Sequence, residues 1–402
     1  MKRILSFVMV CVSVLCLASC SWNVEPPSGT DAVTSSSGKE FFASVDKTAN
    51  YEFSSEGFLE SSLVSAPGML MFEYTKRGWM ICHNPQTGES RIFCSNPACN
   101  HKTLNFDCVM SQFRTSHATT YYDGYLYMMY VYPIEGEQDK YSGLVRMSLD
   151  GTEIELLYRI NPDGINLVKG RDGYIYINSL REGLFRYCLE TGEMERIDKE
   201  TIIYSGFVLT DYGIVLHYNH EDQVCLLDYD LKERRYLFPR GAFVYQNGKF
   251  YRIKTRYKDD GKTRDKIELC EYDIETGNER YITEDSATSG FYCVADGYMY
   301  YSPKADVKLD GYLNQTGGVI YQVDIETGER KTVFKDSSLD IKNIYSMNGK
   351  MYGEIYSRNV YECGLPASLT SRARLFGEFV DRDNDGTWEF EPFVWDTSMF
   401  EF

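Results

Sequence analysis

Asp123-Gly124-Tyr125-Leu126-Tyr127 is the stretch that decides the fold, because the same phrase returns at Asp172-Gly173-Tyr174-Ile175-Tyr176 and Asp296-Gly297-Tyr298-Met299-Tyr300. Looser copies stand at Asp211-Tyr212-Gly213-Ile214-Val215, Asn247-Gly248-Lys249-Phe250-Tyr251 and Asn348-Gly349-Lys350-Met351-Tyr352. Asp-Gly and Asn-Gly supply the positive φ angles of a tight hairpin, so each phrase reads as a turn that opens an apolar, Tyr-rich strand. A divergent first copy is Pro67-Gly68-Met69-Leu70-Met71-Phe72.

A second phrase follows each first one and reads as strand, turn, strand. Its clearest copies are Tyr272-Asp273-Ile274-Glu275-Thr276-Gly277-Asn278 and Val323-Asp324-Ile325-Glu326-Thr327-Gly328-Glu329, with weaker relatives at 84–88, 149–152, 189–192 and 229–232. The units recur every roughly 35 to 60 residues, the interval of four-stranded propeller blades. Residues 125–132 and 298–301 are apolar or aromatic at consecutive positions. Both faces of such a strand must be buried, as in a blade held between two neighbours; a sandwich strand would alternate. The expected fold class is all-β, a seven-bladed β-propeller, with six and eight as the neighbouring counts. Residues 375–390 align with the second phrase, and 393–402 are expected to complete the first blade and remove an open sheet edge.

With 402 residues, 43% of them apolar, the chain has ample material for a core, which excludes disorder throughout. Fifty-nine Asp and Glu against 42 Lys and Arg give a net charge of -17. A protein that tracks nucleic-acid phosphates needs the opposite balance, so that partner class is excluded.

Lys2 and Arg3 precede an apolar run over 4–17 that is too short for a permanent membrane span, and this pattern reads as a secretory signal. The run ends in Leu17-Ala18-Ser19-Cys20, which resembles the lipobox of bacterial lipoproteins. That resemblance implies cleavage before Cys20 and its acylation with palmitate-type chains, each buried CH2 adding about 0.8 kcal/mol of membrane attachment. The following segment, with Pro26-Pro27-Ser28-Gly29 and Ser35-Ser36-Ser37-Gly38, reads as a flexible tether. The expected organisation is a signal over 1–19, a lipidated cysteine and linker over 20–58, and a propeller over 59–402. As a whole the pattern resembles a group of Gram-positive bacterial lipoproteins that carry a β-propeller domain of unassigned function. The resemblance implies a place on the extracytoplasmic face of the cell membrane.

Twelve cysteines fall to nine once Cys11 and Cys16 leave with the signal and Cys20 is lipidated, and an odd number cannot all pair internally. Cys188, Cys225, Cys270, Cys293 and Cys363 are scattered singly and read as small buried hydrophobes. Cys94, Cys99, His101 and Cys108 are different, because three thiols and an imidazole lie close together in sequence. Such a set matches a tetrahedral zinc shell, although four residues separate Cys94 from Cys99 and one separates Cys99 from His101, unlike the usual zinc knuckle. A disulfide from Cys94 or Cys99 to Cys108, with Cys82 as a further partner, accounts for the same residues in an oxidising exterior. Both readings stay open here, with the disulfide favoured.

Asp381, Asp383 and Asp385 with Gly386 resemble the start of a calcium loop, but the twelfth position is Pro392 where a bidentate Glu is needed. The same residues fit an ordinary blade hairpin, which we favour. His217, His220 and Glu221 invite comparison with zinc peptidases, but Val224 stands where the second histidine of that motif belongs. No carboxylate pair can be singled out from the sequence as a glycosidase acid and base. Two functional expectations follow: a monomeric, membrane-anchored module that binds a ligand, a glycan or a cell-surface protein through loops at one end of its ring, or an extracellular glycan-active enzyme that uses residues lining the channel.

Overall fold

The structure is a computed structural model that describes residues 41–43, 45, 53–54, 63–73, 80–94, 119–133, 140–160, 165–179, 183–198, 207–218, 223–239, 241–259, 264–285, 292–303, 318–337, 339–357 and 374–393. A two-residue strand, β1 (Phe53–Ser54), precedes blade 1, which comprises β2 (Leu63–Ala66), β3 (Met69–Glu73), β4 (Met80–His83) and β5 (Ser90–Ile92). Blade 2 comprises β6 (Thr119–Tyr122), β7 (Tyr125–Pro133), β8 (Lys140–Met147) and β9 (Ile154–Ile160). Blade 3 comprises β10 (Ile165–Arg171), β11 (Tyr174–Ser179), β12 (Gly183–Cys188) and β13 (Met194–Asp198). Blade 4 comprises β14 (Phe207–Thr210), β15 (Gly213–Tyr218), β16 (Gln223–Leu227) and β17 (Arg234–Pro239). Blade 5 comprises β18 (Ala242–Gln246), β19 (Lys249–Tyr257), β20 (Arg264–Asp273) and β21 (Glu279–Asp285). Blade 6 comprises β22 (Tyr292–Ala295), β23 (Tyr298–Tyr301), β24 (Val319–Asp324) and β25 (Arg330–Lys335). Blade 7 comprises β26 (Leu339–Met347), β27 (Lys350–Ser357), β28 (Arg374–Val380) and β29 (Glu389–Pro392).

Strands pair antiparallel in chain order within every blade, and the seven blades form a ring, so the fold is the seven-bladed β-propeller that the repeat count predicts. The innermost strands β2, β6, β10, β14, β18, β22 and β26 surround the central channel.

The turn phrases do what their residues dictate. Asp123-Gly124, Asp172-Gly173, Asn247-Gly248, Asp296-Gly297 and Asn348-Gly349 all have positive φ at both positions, the type I′ geometry that suits a two-residue hairpin. In the second phrase the Asp side chain caps the turn. Asp273 Oδ1 accepts the backbone N–H of Glu275 (3.1 Å) and Thr276 (2.7 Å), and Asp324 Oδ1 accepts those of Glu326 (2.9 Å) and Thr327 (2.7 Å). These hydrogen bonds hold both carboxyls below their ordinary pKa.

The core is a series of layers between blades. The third residue after the first turn is Tyr127, Tyr176, Tyr251, Tyr300 or Tyr352 in five blades, and each packs toward the next blade around the ring. Close approach constrains the glycines here: a Cβ on Gly170 would stand 2.4 Å from the Tyr122 side chain of the preceding blade.

Ring closure differs from the expectation. Blade 1 draws all four strands from its own stretch, and Phe393 is not in a strand. Residues 394–402 lie outside the described residues. Phe393 instead seals the seam between blades 7 and 1 as a side chain: its ring stacks on His83 at 3.8 Å and lies 5.8 Å from Phe72. Phe72 and Phe376 add a ring contact at 4.7 Å. A second correction concerns the linker boundary. Phe41, Phe42 and Val45 are buried in the core cluster of blade 1, and β1 pairs with β26 through Phe53↔Met347 and Ser54↔Ser346. Packed chain among the described residues therefore reaches back to Phe41, ahead of the boundary at 59, because three apolar side chains there find a core to enter.

Candidate functional site

Antiparallel order within a blade places the hairpins joining strands one to two and three to four at one end of the ring. The loops joining strands two to three, and the connections between blades, fall at the other. The first, or turn end, is built from the two repeated phrases and is bound from blade to blade. Arg186 donates to Tyr229 O (3.0 Å), Arg235 to Ile274 O (2.6 Å) and Arg280 to Ile325 O (3.0 Å), each reaching the turn backbone of the next blade.

The second, or loop end, is uneven. The connections 93–118, 302–318 and 358–373 are long, whereas 180–182 and 219–222 are short. β7 and β19 have 9 residues each and β11 and β15 have 6, a difference of about 10 Å in strand length at about 3.4 Å per residue. Tyr257, at the tip of β19, is 52% exposed.

Just inside the loop end lies a belt of polar residues. The fifth residue after the first turn is Asn178 in blade 3, Ser302 in blade 6 and Glu354 in blade 7, all fully buried. Glu73 and His217 hold the same register position in blades 1 and 4. Burying such groups costs free energy unless hydrogen bonds compensate. Asn343 Nδ2 on β26 donates to Glu354 Oε2 at 2.8 Å. In the seam of blades 5 and 6, Tyr301 donates its hydroxyl to Asp285, which also pairs with Arg330. Burial and the adjacent Asp285 push the Tyr301 phenol well above its ordinary pKa, while hydrogen bonds to Tyr301 and Asp285 hold the Arg330 guanidinium protonated. The belt was missed in the sequence, where its signal is a polar residue interrupting the apolar run at a fixed distance from each turn.

At the turn end of blade 1, His83 is 4% exposed. Its Nδ1 lies 2.8 Å from Ser90 Oγ, and Ser90 donates to Phe393 O at 3.2 Å. Ser90 has one proton to give, so His83 must donate from Nδ1. Burial first, then the positive charge of Lys350, pulls this imidazole down to about 3.

The residues singled out in the sequence are placed unevenly. Cys94 is buried just past β5, while Cys99, His101 and Cys108 lie outside the described residues, as do Cys20 and His220. Cys82 is a free, buried thiol that burial pushes far above the ordinary range. Asp381, Asp383 and Asp385 fall in the three-to-four turn of blade 7. There Asp381 accepts the N–H groups of Asp385 (3.2 Å) and Gly386 (3.0 Å), in the manner of Asp273 and Asp324. Among the described residues no group of three or more His, Cys, Asp or Glu could hold a metal ion.

No protein-family model matches this chain, and no curated protein matches it. Solved structures similar to it include BamB from Moraxella catarrhalis, at 11% identity and TM-score 0.38, covering 74% of this chain and 81% of that one. TolB from Acinetobacter baumannii matches at 10% identity and TM-score 0.36, covering 73% and 65%. An oligogalacturonate lyase from Vibrio parahaemolyticus matches at 10% identity and TM-score 0.39, covering 72% and 85%.

Proposed function

We propose that this chain is a lipid-anchored propeller on the extracytoplasmic face of a bacterial membrane, which binds a ligand or protein partner on its loop end. The anchor reading rests on the apolar run that ends in Leu17-Ala18-Ser19-Cys20. The binding reading rests on one structural observation, the asymmetry of the ring. Its turn end carries hydrogen bonds from arginine side chains to the turn backbone of the next blade in the seams of blades 3 to 6, whereas its loop end carries connections of very unequal length. Recognition concentrates on loops that a rigid scaffold positions, and the longest connections between described strands fall at the loop end.

Two measurements test this reading. Metabolic labelling with an alkynyl fatty acid is expected to mark the protein, and Cys20→Ala to abolish the mark and release the chain from membranes; a mark that survives the substitution overturns the anchor. Photo-crosslinking residues placed at Lys258 and Asp259 of the loop end are expected to give adducts in living cells that positions Asp230 and Asn348 of the turn end do not. Adducts confined to the turn end overturn the binding reading.

A further inference from the structure

Lys169 lies on β10, the channel-lining strand of blade 3, opposite Tyr176. The same register position, four residues before the second turn residue, is occupied by Val64, Val208, Val244 and Cys293 in blades 1, 4, 5 and 6, all buried. Thr120 and Tyr345 take it in the remaining two. Blade 3 thus puts an amine where most blades put a buried apolar side chain. Its strand partner Tyr176 belongs to an apolar cluster with Leu184, Phe207, Ile214 and Leu216 in the seam of blades 3 and 4. The lysine is half-buried, so it keeps some exposure on an innermost strand of the ring. In a chain with net charge -17, no described carboxylate pairs with it.

We propose that Lys169 is the reactive amine of a ligand site in the central channel, one that takes a small aldehyde as a reversible imine. The Nζ lone pair forms the C–N bond to the carbonyl carbon, and a nitrogen proton passes to the carbonyl oxygen. The hydroxyl of the resulting carbinolamine then leaves as water, taking the second nitrogen proton through solvent, and the C=N bond forms without oxidant or reductant. The surroundings favour this chemistry over simple pairing with an anion, because an apolar seam disfavours the ammonium and favours the neutral amine and the neutral imine alike. Burial pulls the Lys169 ammonium down to about 8. Roughly a tenth of it is then neutral at pH 7, against less than about one part in a thousand for a lysine near 10.4. The aliphatic part of an aldehyde would rest against Tyr176 and Phe207. This inference is independent of the anchor and of the loop-end partner.

The test is reductive alkylation of the full chain with propanal and cyanoborohydride, the latter supplying the hydride that traps the imine, followed by peptide mass spectrometry. At about pH 7.5 Lys169 is expected to react at least about tenfold faster than the exposed Lys232, with a rate that levels off above about pH 8. Lys169→Val adopts the residue of blades 1, 4 and 5 and is expected to keep the native circular dichroism while losing the label; Lys169→Arg keeps the charge and also loses it. Reaction at Lys169 no faster than at Lys232 in the folded chain overturns the proposal. So does labelling by glyoxylate with propanal inert, which would make the site one for anions.

Discussion

The two ends of the ring are made by the same strands and obey different rules. At the turn end every blade repeats two hairpins, and backbone geometry leaves most of them little freedom: in five blades two positive φ angles select Asp-Gly or Asn-Gly, and in five an Asx side chain caps the start of the second turn. At the loop end the connection lengths drift, and the polar belt sits there. Constraint therefore marks one end of the ring and variation marks the other.

The largest expected effect tests that division directly. Four Gly-Ser residues inserted between Asn247 and Gly248 break a type I′ turn and are expected to lower stability by several kcal/mol, as a large core or backbone lesion does. The same insertion into 180–182 should cost less than about 1 kcal/mol, since loop closure grows only slowly with length. Urea unfolding of the two variants decides it, and equal losses would break the comparison.

Acid should act on the turn end through His83. Its folded pKa, about 3, lies below the unfolded value of 6.5, so the unfolded chain takes up a proton that the folded chain refuses. That contribution to stability is complete above pH 6.5 and is lost as pH falls toward 3, by up to about 1.4 kcal/mol per pH unit. His83→Phe keeps a ring against Phe393 and should flatten this part of the pH profile measured by denaturant titration.

The smallest effect sharpens the picture of the belt. Ser302 Oγ is buried with no hydrogen-bond partner among the described residues. Ser302→Ala is expected to change unfolding free energy by less than about 0.5 kcal/mol or to raise it. A loss well above about 1 kcal/mol in thermal or urea unfolding would show that this member of the belt holds the blade together.

Blade number and turn positions were legible because local chemistry fixes them: a φ angle selects the residue type at each turn. The belt and Lys169 were not, because they depend on which face of a strand meets which neighbour. In Val168-Lys169-Gly170-Arg171 the lysine looks like any alternating polar residue until the register sets it beside Tyr176. The linker boundary failed for a similar reason, since Phe41 and Phe42 are conspicuous only once blade 1 offers them a cluster. Asp381, which the sequence offers both as a hairpin residue and as a calcium ligand, accepts two backbone hydrogen bonds within its turn.

The pairing of β1 with β26 has a consequence in time. Phe53 leaves the ribosome long before Met347, its partner, has been made. By loop-closure entropy, joining points this far apart costs about 5 kcal/mol in an unstructured chain, so the pairing can form only after the intervening blades have shortened the distance. The first segment to emerge is then among the last to find its place, and it stays accessible to whatever acts on a nascent chain until the ring can shelter it.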